Sequence, residues 1–237
     1  MRYVILAVVL STIATSVSGQ RWTEINPARL DGDRRITPKE VRGVRINPAN
    51  LRDLLLAAPH ERNVTASAST ARIRIPRPDG SSTVFSIVSY DITGPEALAR
   101  YPEIRTWYGV NSRNPGQTIF LDWTLRGFHA SVSGGGEAAY YIDPLFRGDT
   151  EHYQVYFRSA TGESSKAGFY CATEPDGFAP EEETGGRPKL LGDCSLRQYQ
   201  VAISTTHQYN NYHGAFSAAQ SELVQSTIVT SINRINQ

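Results

Sequence analysis

The sequence has almost no excess charge: 24 Lys and Arg stand against 23 Asp and Glu over 237 residues. No net field draws it to nucleic acid or to an anionic membrane surface, and no nucleic-acid partner is expected. Long apolar runs are missing too. Beyond the amino terminus nothing approaches the roughly 20 apolar residues that a spanning helix needs, so no membrane span is expected. Cysteine is scarce: Cys171 and Cys194 are too few for a disulfide scaffold, and a chain of this length does not need one. No Gly-x-Ser-x-Gly elbow, phosphate loop or Cys-x-x-Cys occurs. Gly134-Gly135-Gly136 reads as a turn, and Asp31-Gly32-Asp33 lacks the further ligands of a calcium loop. His60-Glu61-Arg62-Asn63-Val64 begins like the zinc motif His-Glu-x-x-His but has Val64 where the second imidazole must stand, so a surface loop is expected. His129, His152, His207 and His213 show no ligand spacing and are expected to be hydrogen-bonded or solvent-facing.

The amino terminus reads as Arg2, an apolar run from Tyr3 to Leu10, then small residues ending Val17-Ser18-Gly19. That order is a secretory signal peptide over 1–19, with cleavage before Gln20 and a secreted or periplasmic product. Residues 20–46 are rich in Arg, Asp, Pro and Gly and read as a mobile arm. Asn47 to Ala58 predicts a short amphipathic helix: Leu51, Leu54, Leu55 and Ala58 share a face, Asn47 caps it, Pro48 fills the first helical position and Pro59 stops it. Asn63-Val64-Thr65 is formally a glycosylation acceptor, of consequence only in a host that glycosylates.

From Ala71 the period is two. Arg72 to Ile75 and Thr83 to Tyr90 flank Pro78-Asp79-Gly80; Ile119, Leu121 and Trp123 share a face with Phe128, Ala130 and Val132 across Leu125-Arg126-Gly127. Tyr140 to Ile142 and Tyr153 to Phe157 add strands, so an antiparallel sandwich or open barrel is expected. Trp107, Tyr108, Trp123, Tyr140 and Tyr141 could form a ligand platform, but at strand spacing they read first as core and cross-strand pairs. Residues 174–193 are rich in Glu, Pro and Gly and read as an exposed linker, with Arg187 and Lys189 as basic cleavage points. Beyond it, Gln198 to Ile203 predicts a strand, and Ser217 to Ile235 a helix with Val224, Ile228, Ile232 and Ile235 in one stripe and a Ser217 to Gln220 capping box. One strand and one helix cannot be a domain by themselves. The two thiols leave two readings open: a Cys171 to Cys194 disulfide worth roughly 3 kcal/mol, or a thiolate that fills the open position of a catalytic zinc and silences it.

The carboxy-terminal stretch Leu196 to Ser204, His207-Gln208-Tyr209, Tyr212-His213-Gly214 and Ile228 to Asn236 resembles the opening strand and first helix of bacterial reprolysin-like (M12B-type, adamalysin-related) zinc metallopeptidases. Tyr101 to Thr106, Tyr108-Gly109, Gly127 to Ala130 and Tyr141 to Pro144 are similar to the same family's pro-region, and the likeness runs from about Leu51 to the end. It implies an α+β chain: a β-rich pro-domain over 47–173 with its short amino-terminal helix, the linker over 174–193, and the start of a zincin-like α/β domain over 194–237. The family's zinc ligands lie beyond Gln237, so the resemblance implies no catalytic residue, no metal ligand and no cofactor in this chain, which is expected to be inactive alone. It implies zinc in the full-length family, the chain's own missing catalytic domain as the partner, a folding and latency role, and Cys171 in Phe169-Tyr170-Cys171 as the zinc-capping thiol. The competing expectation is a free-standing secreted binding or inhibitor module whose last helix docks back on the β unit and whose partner is another protein.

Overall fold

The computed structural model describes residues 21–161 and 201–237. The expected signal peptide, the linker with Arg187 and Lys189, and both Cys171 and Cys194 lie outside the described residues.

The alternation read from the sequence becomes one curved antiparallel sheet, an open half-barrel rather than a two-sheet sandwich. Its nine strands are β1 Thr23–Ile25, β2 Arg42–Arg45, β3 Arg72–Pro76, β4 Ser82–Tyr90, β5 Arg105–Asn111, β6 Gln117–Thr124, β7 Gly127–Gly134, β8 Tyr140–Pro144 and β9 His152–Phe157, in the spatial order β1-β2-β9-β8-β7-β6-β5-β4-β3. Register follows the apolar pattern, because a slip of one residue would turn every core side chain outward. Ile119 faces Val132, Leu121 faces Ala130 and Trp123 faces Phe128 across β6 and β7. Those six residues are buried in one core with Ile73, Ile75, Phe85, Ile87, Tyr140, Ile142, Tyr153 and Val155.

Helix α1, Pro48–Leu56, forms where the cap and the proline place it: the Asn47 side chain accepts from the Asn50 N–H at 3.1 Å. It buries Leu51 and Leu55 in the hollow of the sheet, each worth roughly 1.5–3 kcal/mol. Residues 21–46, read as an arm, carry β1 and β2 instead. Val44 and Ile46 reach the core, and β2 pairs along β9, an edge that would otherwise be bare. Two apolar residues were too weak a periodic signal to announce that strand.

The two edges of the sheet approach each other and are joined by side chains. The Trp22 indole, next to β1, donates to the Arg74 carbonyl of β3 at 2.8 Å, and Arg42 of β2 donates to the Ser81 carbonyl beside β3 at 2.9 Å. Trp22 also packs edge-on to Tyr153, with ring centroids 5.8 Å apart.

On the chain's return, Val201 to Ile203 join no strand and are exposed, although a strand is expected there. Both sheet edges are already engaged, and a strand without a partner leaves its backbone polar groups unpaired. The short helix α2, Pro95–Arg100, joins β4 to β5; after 201 come α3, His207–Tyr212, and α4, Ser221–Ile235. Helix α4 starts four residues after Ser217 because 218–220 form a single 3-10 turn. Gln220 Oε1 accepts from the Phe216 N–H at 2.9 Å and from the Ser217 hydroxyl at 3.4 Å. No helix among the described residues is long and apolar enough to cross a membrane.

Candidate functional site

Helix α4 lies on the outer face of β6 to β8, and that contact is polar. The outward residues of these strands include Asp122, His129, Ser131 and Asp143, with Tyr156 of β9 beside them, all buried. Burying such groups unpaired costs several kcal/mol each, so the helix must present partners. Of its expected apolar stripe Val224 is buried, Ile228 and Ile232 are half-buried and Ile235 is exposed, while Ser226, Val229 and Asn233 are buried beside it. Thr230 donates to Asp122 at 2.7 Å, and His129 Nδ1 stands 2.9 Å from the same carboxylate. Arg234 pairs with Asp143, which also accepts from the Tyr156 hydroxyl. Burial pushes the Asp143 carboxyl up, but Arg234, His129 and Tyr156 outweigh it and hold it below the usual carboxylate range. At the end of the chain the Gln237 amide donates to the Ser131 carbonyl at 2.9 Å.

Beside this seam is a cleft of about 70 Å3 lined in part by Arg35, Arg126, His129, Asp143 and Arg147. Arg126 projects from the tight β6 to β7 turn, which closes because Gly127 adopts φ +98°, a strained angle for any residue with a Cβ. Arg35 Nη1 lies 2.8 Å from His213 Nδ1. A guanidinium only donates, so Nδ1 accepts and the ring is neutral. Arg35 Nη2 donates to the Tyr212 carbonyl at 3.1 Å, and Arg126 donates to Thr227 Oγ1 at 3.1 Å and to the His213 carbonyl. Arg147 Nε is 3.0 Å from Asp33. Burial and the three neighbouring cations push His213 down to about 4; burial, Arg35 and Arg147 bring Arg126 down to about 10. Like charges crowd here.

Neither feature was singled out in advance. Arg35, Arg126 and Arg147 are far apart in sequence, and the one trace of the seam was the run of Ser, Thr and Asn within the final helix. The residues that were singled out fall as follows. Trp107, Trp123 and Tyr140 are buried in the core, whereas Tyr108 and Tyr141 lie on the outer face and pack against Phe120 and Tyr156. They therefore form no single platform. His60 stands 3.2 Å from Asp91, His129 beside Asp122, and His152 Nδ1 2.9 Å from Asp149, as hydrogen-bonded histidines should. Among the described residues no three His, Cys, Asp or Glu side chains converge as metal ligands must. Comparison with protein-family models, curated proteins and solved structures gives no match to this chain.

Proposed function

We propose that this chain is the front end of a secreted reprolysin-like zinc metallopeptidase: a β-rich pro-region that assists folding and latency, followed by the opening segment of the catalytic domain. The observation that carries this reading is where apolar surface is left bare. Val201, Ile203, Tyr212, Phe216 and Ile235 are 69%, 45%, 63%, 70% and 76% exposed, whereas among the described residues of the β unit only Leu56 and Leu125 are large, apolar and exposed. A concentration of exposed apolar side chains in one short stretch marks an interface awaiting a partner. The first strand and helix of a zincin domain need such a partner, namely the rest of that domain. In this reading Cys171 is a free thiol that caps the catalytic zinc, and cleavage near Arg187 and Lys189 releases the enzyme.

A second reading, a self-contained binding or inhibitor module, is favoured by the seam between α4 and the β unit: a helix destined for another domain has no need of Asp122 and Asp143 as buried partners. The coding DNA immediately downstream separates the two. Continuation in any frame to His-Glu-x-x-His is the expected result, and a true stop shared by closely related strains would favour the module.

A further inference from the structure

Three cations meet in the cleft between the β unit and the α3 end of the returning chain, and they have little to neutralise them. Arg35, Arg126 and Arg147 come from three separate segments, and among the described residues Asp33 is the single carboxylate that pairs with any of them. Asp33 sits at the rim, its side chain 66% exposed, where an ion pair contributes little. Asp143 also lines the cleft, but its oxygens are taken by Arg234 and Tyr156.

A purely structural role accounts for part of the arrangement. The three side chains donate to the carbonyls of Tyr212 and His213 at the carboxy-terminal end of α3, where cations suit the exposed carbonyls. Those two carbonyls, His213 Nδ1, Thr227 Oγ1 and Asp33 still leave guanidinium N–H groups over. Arg35 Nε is buried with no hydrogen-bond partner, an arrangement that costs free energy unless something fills it. The neutral His213 adds no charge of its own, and Gly148, in the wall of the cleft, keeps that side free of bulk.

We propose that this cleft binds a compact doubly charged oxyanion of the phosphate or sulfate class, held by Arg35, Arg126 and Arg147. Planar guanidinium forks match tetrahedral oxyanions in geometry as well as charge. The cleft, of about 70 Å3, has room for one such group. The depressed titration of Arg126 and His213 agrees: burial is its larger cause, and the neighbouring cations add to it.

The test uses the full chain, with inorganic phosphate titrated at fixed ionic strength against sodium chloride and followed by thermal melting and calorimetry. Saturable binding is expected, with a melting temperature that keeps rising with the logarithm of phosphate once the site is half filled. Arg147→Gln, which alters the most solvent-exposed member, should weaken phosphate at least tenfold without lowering the melting temperature in phosphate-free buffer, because it relieves repulsion. Should Arg126→Gln fail to fold, Arg147→Gln and Arg35→Lys still decide. Phenyl phosphate as a second probe separates the sources: equal or tighter binding assigns a phosphoryl group on a larger molecule, and binding of inorganic phosphate alone assigns the free ion. A phosphate effect no larger than that of chloride, or full affinity in Arg147→Gln, overturns the proposal.

Discussion

Asp143 is buried on the outer face of β8 with Arg234 and the Tyr156 hydroxyl as partners, so its charge depends on a residue in the last turn of α4. Removing the cation leaves the carboxylate stranded. Arg234→Met should lower stability by about 3–5 kcal/mol, and adding Asp143→Asn should restore part of the loss; urea unfolding of the three variants measures both. His213 gives a pH prediction. Its folded pKa, about 4, lies below the ordinary value of 6.5, so the unfolded chain takes up the proton first as pH falls. Stability from this group is full above 6.5 and is lost between 6.5 and about 4. The expected loss is on the order of 1–3 kcal/mol, and His213→Asn, which keeps an acceptor for Arg35, should flatten that part of the profile. None of these pairings was legible in advance, because each joins residues far apart in sequence and leaves no local period. The histidines were legible as hydrogen-bonded groups, though their partners were not.

At the scale of elements, legibility followed burial pattern. The hairpin of β6 and β7 could be read directly because Ile119, Leu121, Trp123, Phe128, Ala130 and Val132 face inward and, Phe120 apart, the residues between them are polar, with Gly127 marking the turn. Strand β5 was harder: it is buried on both faces, so Trp107, Gly109 and Asn111 inward and Thr106 outward give no clean alternation. Gly109 is where that strand passes closest to β4. A Cβ there would stand 2.5 Å from the Ser86 carbonyl oxygen and 2.8 Å from Ile87, so backbone would have to move. Gly109→Ala should destabilise by about 1–3 kcal/mol or more, with chemical-shift changes confined to β4 to β6. Equal stability of this variant would mean that the strands are farther apart than described. Helix α4 was legible as a helix but its buried face only in part: Val224 is inside, whereas Ser226 and Asn233 are buried too because the surface they meet presents Asp122 and Asp143.

For the whole molecule, an antiparallel β unit with one short helix before it was legible from alternation and capping, while the choice of half-barrel over sandwich, the place of α1 and the inclusion of residues 21–46 were not. Limited proteolysis of the full chain should cut first within 174–191, where Glu, Pro and Gly predominate, and after Lys189 rather than Arg187 with trypsin, because Pro188 blocks the latter. Non-reducing gels and thiol alkylation of the nicked chain then decide the cysteines. Separating fragments with an alkylatable Cys171 keep the latency switch; a bridged pair makes Cys171 a structural staple.

The contact of Trp22 and Arg42 with the far edge of the sheet makes the first turn of chain a clasp on the barrel's open side. One short segment thereby guards two edges at once, since β2 covers β9 while Trp22 and Arg42 occupy carbonyls of β3 and of the turn that follows it. A protease that trimmed the chain to about residue 46 would expose both, and paired open edges are the template for chain-to-chain strand addition. Such a trimmed protein should form soluble oligomers that grow with concentration and bind thioflavin, while the chain retaining 21–46 should not, so the fate of a few residues at the amino terminus decides whether this fold stays solitary.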